Sequence, residues 1–99
     1  MHITKTQNGD KTVLGLSGRL DTVSSPEVQE ALTVALDTAK EVVLDFSELA
    51  YISSAGLRVL LIGEKTARQK SCTLSLTGVS QDIREVLEMT GFDTILQIT

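Results

Sequence analysis

Asp45-Phe46-Ser47-Glu48-Leu49-Ala50-Tyr51-Ile52-Ser53-Ser54-Ala55-Gly56-Leu57 is the stretch on which the reading of this chain turns. Just ahead of and overlapping it, Glu41 to Phe46 carries the run Val42-Val43-Leu44, which lacks polar alternation and predicts a central strand covered on both faces. Just after it, Leu57, Leu60 and Leu61 recur at helical spacing, so a helix is expected from about Ser54 to Gln69, with Gly63 as its main propensity penalty. Between them lies a short loop from the carboxyl end of a strand to the N-terminus of a helix. Open α/β sheets commonly present ligand-binding groups at that place, and Ser53 and Ser54 sit there.

Working toward the N-terminus, Ser24-Ser25-Pro26-Glu27 offers a capping hydroxyl, a first-turn proline and a capping-box partner in Glu27. Val28, Leu32, Ala35 and Leu36 then mark one buried stripe of a helix ending near residue 39. Residues 2–7 and 10–18 read as two strands joined by Asn8-Gly9 in a type I′ hairpin, with Thr12, Leu14 and Leu16 on one face and Val13 on the other. Toward the C-terminus, Cys72 to Leu76 reads as a strand. Ser80 caps a third helix with Asp82 near its positive end, Ile83, Val86 and Leu87 inward, and Gly91 as terminator. Phe92, Ile95 and Leu96 are expected to fold back onto the core. The order strand, strand, helix, strand, helix, strand, helix predicts an α/β fold, a small mixed sheet of about four strands with helices packed on it.

Composition narrows the function. Ninety-nine residues fit one domain, and with 41 % apolar but only 3 % aromatic residues its core is aliphatic. No apolar run approaches the ~20 residues that cross a bilayer, the first residues lack the apolar segment of a secretory signal, and the lone Cys72 makes no internal disulfide, so a cytoplasmic location without membrane insertion is expected. Net charge −4 and pI near 4.8 give no electrostatic reason to bind nucleic acid; Lys65, Arg68 and Lys70 are read as complementing the negative pole of the second helix. His2 and Cys72 form no evident nucleophile–base pair, no metal-ligand spacing occurs, and the seven glycines stand singly rather than in a phosphate loop, so neither an enzyme nor a cofactor is expected. An acid–base site would need Asp21, Asp45 or Glu48 to converge in a pocket.

What remains is the serine pair. A helix N-terminus favours negative charge by ~0.3 to 1 kcal/mol when exposed, so phosphate on Ser54 is tolerated there. The about 1.5 to 2 negative charges it adds are enough to disrupt an interface made for a neutral hydroxyl. The plainer reading of Ser53 or Ser54 is an N-cap, and the two roles are compatible.

The segment from Asp45 to Leu61 resembles the signature of STAS domains, in which a strand, a short loop and Asp-Ser-Ser/Thr-Gly-Leu open a helix. Gly18-Arg19-Leu20-Asp21 ahead of the first helix, the leading hairpin and the element order extend the resemblance over nearly the whole chain. At single-domain length it is similar to the bacterial anti-sigma factor antagonists. The resemblance implies a partner-switching cycle: the unphosphorylated antagonist captures an anti-sigma factor with serine kinase activity, a sigma factor is freed, phosphorylation ends the capture, and a serine phosphatase resets it. ATP belongs to the kinase. By alignment to Gly56-Leu57 the modified serine is Ser54, with Ser53 as second candidate. Ser53 stands where Asp is usual and Ala55 where a second hydroxyl often stands. Asp21 matches an acidic position near the serine, or else makes an Asx-type turn; Arg58 lies on the partner face, or else is solvated. The partner surface so implied comprises Asp21, Ser53, Ser54, Gly56, Leu57 and Arg58. The alternative is an accessory subunit of the same family that binds another protein without being phosphorylated, as in lipid-transport systems.

Overall fold

The computed structural model covers residues 1–99. Its elements are β1 (His2–Asn8), β2 (Lys11–Leu20), α1 (Ser25–Thr38), β3 (Glu41–Ile52), α2 (Ser54–Gln69), β4 (Thr73–Thr77), α3 (Gln81–Met89), a 3-10 turn (Phe92–Thr94) and β5 (Gln97–Ile98). The five strands are ordered β1-β2-β3-β4-β5, with β1 antiparallel to β2 and every later pair parallel.

Three successive parallel crossovers step across the sheet in one direction. Because such crossovers are right-handed, their helices all fall on one face. Accordingly α1 packs on β2 and β3, α2 on β3 and β4, and the two helices on each other. Leu14 and Leu16, Val42, Leu44 and Phe46, and Leu74 and Leu76 meet the helices in one buried cluster, to which α3 adds Ile83 and Leu87. Val43 is the one buried apolar residue outside that cluster; it lies on the bare face between Val13 and Ser75. The expectation that β3 is covered on both faces is thus corrected: Val43 is shielded by its cross-strand neighbours and not by a helix.

The strand entering the serine segment is longer than expected. Gly15 pairs with Asp45 but Ser17 with Glu48, and Gly18 pairs with Leu49 but Arg19 with Tyr51. Each shift inserts one extra residue in β3, a pair of bulges that lets the strand run to Ile52 where a loop was expected. Phe46, Leu49 and Ile52 are consequently buried at a period of three, which hides the strand from a search for alternation.

Other differences are local. The hairpin turn is Gly9-Asp10, not Asn8-Gly9: Asn8 pairs with Lys11, and Gly9 alone has positive φ (64°). Ser24 makes no capping bond and the box with Glu27 does not form, because the Ser24 hydroxyl is engaged upstream. In α2 the buried stripe is Leu57, Val59, Leu60, Gly63 and Ala67, with Leu61 only half-buried. Gly63 is explained by packing, since a Cβ there would lie 2.5 Å from Leu32 Cδ2 of α1. Beyond Ser80, whose hydroxyl accepts the Ile83 N–H at 3.3 Å, α3 ends at left-handed Gly91 as expected. Leu96 returns to the core, Ile95 stays exposed, and Gln97–Ile98 add the unpredicted fifth strand beside β4. Arg68 pairs with Glu64 and Lys70 with Asp37, so two of the three cations at the end of α2 are held by carboxylates rather than by the helix pole alone.

Candidate functional site: the serine at the start of α2

β2 and β3 end side by side, with Leu20 opposite Ile52, and the first residue beyond β3 is fastened to β2: the Ser53 N–H donates to Leu20 O at 2.9 Å. Ser53 is extended (φ −99°, ψ 176°), and its hydroxyl oxygen accepts the Gly56 N–H at 3.4 Å. Ser53 is therefore the N-cap of α2. A Cβ on Gly56 would stand 2.8 Å from both Ile52 Cγ1 and Leu20 Cγ and 3.0 Å from Leu20 O, so glycine is what lets the helix begin this close to the strand ends. Ser54 then falls on the first helical position, exposed, with its hydroxyl outside every hydrogen bond. Ser54, Ala55 and Arg58 line one shallow depression, and the exposed Arg58 guanidinium makes neither an ion pair nor a hydrogen bond.

The neighbouring strand end leads into a turn organised by Asp21. Its Oδ1 accepts the Val23 and Ser24 N–H groups, each at 3.1 Å, so the Asx-type reading is borne out. The Ser24 hydroxyl donates to Arg19 O at 2.7 Å and accepts the Asp21 N–H at 3.0 Å, while the Ser25 hydroxyl donates to Asp21 O at 2.5 Å. The Ser24 N–H above all, with the Ser24 hydroxyl, the Val23 N–H and the Arg19 charge, holds the Asp21 carboxyl below its ordinary range; desolvation acts the other way. Arg19 lies 3.8 Å from Asp21 Oδ2 and stacks over the Tyr51 ring at 4.1 Å from its centroid. That stack was missed in sequence because the second bulge in β3 is what brings Tyr51 opposite Arg19. Val23, 89 % exposed at the tip of the turn, was also missed.

Of the sequence-predicted surface, Asp21, Ser53, Ser54 and Arg58 come to the same end of the sheet. Gly56 and Leu57, also expected on that surface, are buried, and the missing side chain of Gly56 lets α2 start against Leu20 and Ile52. Asp45 and Glu48 lie instead on the helix-free face in a depression with His2, Thr4 and Ser17, and do not converge with Asp21. The Asp45 carboxylate accepts the Ser47 N–H at 2.9 Å. Cys72 is half-buried, its Sγ within reach of Leu36 O and Ala39 O at 3.3 and 3.2 Å. No group of three or more His, Cys, Asp and Glu side chains is disposed to hold a metal ion, and no helix is long and apolar enough to cross a membrane.

A mixed sheet with helices on one face, ending in a surface that presents a free serine beside an ordered acidic turn, defines a small α/β domain of the STAS type. The chain belongs to the STAS domain family: the family model described as "Mlab, STAS domain" matches residues 3–97. It is 32 % identical over 96 residues to the anti-sigma-B factor antagonist of Listeria monocytogenes, covering 95 % of this chain and 83 % of that one. Its fold matches that of an anti-sigma factor antagonist from Mycobacterium paratuberculosis (TM-score 0.87, 19 % identity, 98 % of this chain and 83 % of that one). It also matches the phosphorylated form of the Bacillus cell fate determinant SpoIIAA (TM-score 0.77, 16 % identity, 99 % and 91 %).

Proposed function

We propose that this chain is an anti-sigma factor antagonist: it binds an anti-sigma factor with serine kinase activity through the surface around Ser54, and phosphorylation of Ser54 ends the binding. The observation that carries the choice of residue is the division of labour between the two serines. The Ser53 hydroxyl is committed to the Gly56 N–H, whereas that of Ser54 is exposed and unpartnered. In the modification, the Ser54 oxygen attacks the γ-phosphorus of ATP held by the kinase, the Oγ–P bond forms as the bond to ADP breaks, and the hydroxyl proton passes to a base of the kinase. The new charge falls on the surface that carries Ser54 and Arg58, where a partner fitted to a neutral hydroxyl meets a dianion with its hydration shell. A serine phosphatase returns the chain to the binding form.

The test is titration of the cognate anti-sigma factor with the parent protein, Ser54→Ala and Ser54→Asp. Ser54→Ala binds like the parent and takes up no phosphate from the kinase; Ser54→Asp binds at least tenfold more weakly. Equal binding by the Asp variant contradicts release by charge. Stability separates the two serines: Ser53→Ala loses the cap and ~1 kcal/mol, whereas Ser54→Ala stays within ~0.5 kcal/mol of the parent.

The accessory-subunit reading is favoured by one observation, that Ser53 and Ala55 replace the acidic and second hydroxyl residues usual around the modified serine. It predicts a protein partner bound alike by the parent and by a chain carrying phosphoserine at 54.

A further inference from the structure

Phosphate on Ser54 needs a counter-charge, and the cations of the chain are unequally free to supply it. Arg19 is held over Tyr51 and beside Asp21, Arg68 is bonded to Glu64, and Lys70 to Asp37. Arg58 is exposed, has no partner, and lines the same depression as Ser54 one helical turn away. Residues four apart on a helix face each other, and the favourable order places the anion on the N-terminal side of the cation, as here. The spacing singles out Ser54, because four residues after Ser53 stands the buried Leu57.

We propose that Arg58 is the phosphate receptor of this switch: when Ser54 is phosphorylated, the Arg58 guanidinium closes over the phosphate across one turn of α2. This inference rests on the reading of Ser54 as the modified residue and adds a second component to release. A guanidinium matches a phosphate with two parallel N–H···O bonds. In the unmodified chain Arg58 is free to meet an acidic group of the partner; in the modified chain it is withdrawn to its own phosphate. Phosphorylation therefore both adds an anion to the surface and removes a cation from it.

The test uses the full chain with phosphoserine installed at position 54 during synthesis, so that it does not depend on any kinase. The second ionisation of the phosphate is followed by phosphorus NMR in the otherwise unchanged protein, in Arg58→Ala and in Arg58→Lys. A neighbouring cation favours the dianion, so removing it raises that pKa, by roughly half a unit for an exposed pair. The expected result is a raised value in Arg58→Ala, most of the shift recovered in Arg58→Lys, and an Arg58 Nε–H resonance that moves with the phosphate titration. Superimposed phosphate titrations in all three chains overturn the proposal. Binding of the cognate anti-sigma factor to the same phosphorylated chain bears separately on whether Ser54 is the switch: unweakened binding there contradicts the proposed function while leaving the ion pair intact.

Discussion

Asp21 is the residue whose behaviour is easiest to follow by pH. Its carboxylate accepts two backbone N–H groups of the turn that carries Val23 past the strand end, and those bonds favour the charged form. The folded pKa lies below the unfolded one, so the stabilisation is complete above about pH 4, the unfolded value for Asp, and is lost as pH falls through the depressed folded value. The Asp21 carboxyl carbon is expected to titrate below 3.8, with the Val23 and Ser24 amide resonances moving at the same midpoint. A midpoint at or above 3.8 contradicts the hydrogen-bonding account. At this scale the sequence was informative where chemistry is local. The Asx turn, the cap at the start of α2 and the terminating Gly91 follow from a side chain and the backbone within a few residues of it. The Arg19–Tyr51 stack was illegible because it spans two strands and depends on register, and the capping box at Ser24 failed because its hydroxyl had a partner, Arg19 O, that sequence spacing does not reveal.

Among elements, the junction of β3 and α2 presents Ser54, the proposed site of modification, and two glycines of α2 test how that junction is built. A Cβ on Gly56 meets the Leu20 carbonyl oxygen, the branched Cγ of Leu20 and the Cγ1 methylene of Ile52, close to the backbone where little can give way. A Cβ on Gly63 meets chiefly the Cδ2 methyl of Leu32, the far end of a flexible side chain, and gains up to ~1 kcal/mol of helix propensity. Gly56→Ala is therefore predicted to destabilise by ~1 to 3 kcal/mol and to weaken partner binding by shifting Ser54, while Gly63→Ala is the milder of the two. Urea denaturation of both variants checks the ranking; equal losses contradict it. The type and order of the helices and of the first four strands were readable because apolar spacing persists over several turns or pleats. The extent of β3 was not, since two bulges change its burial period, and neither was β5, because two residues hold no period at all.

For the whole molecule, the governing fact is the one-sided sheet. All three helices cover one face and leave the other face of the sheet bare. A run such as Val42-Val43-Leu44 does not reveal this, because Val43 is nearly as hidden as its neighbours without touching a helix. The difference is measurable: Val42→Thr places a hydroxyl in the helix–sheet core and is predicted to cost ~2 kcal/mol or more, whereas Val43→Thr, on the bare face beside Ser75, costs under ~1 kcal/mol. Similar costs contradict the one-sided arrangement.

The switch proposed at Ser54 is open to intact-mass measurement and peptide mapping of the protein purified from its native cells under phosphatase inhibition. A single phosphate is expected, on Ser54, with an occupancy that changes with growth conditions. Phosphate on Ser53, or a chain unmodified under every condition, contradicts it.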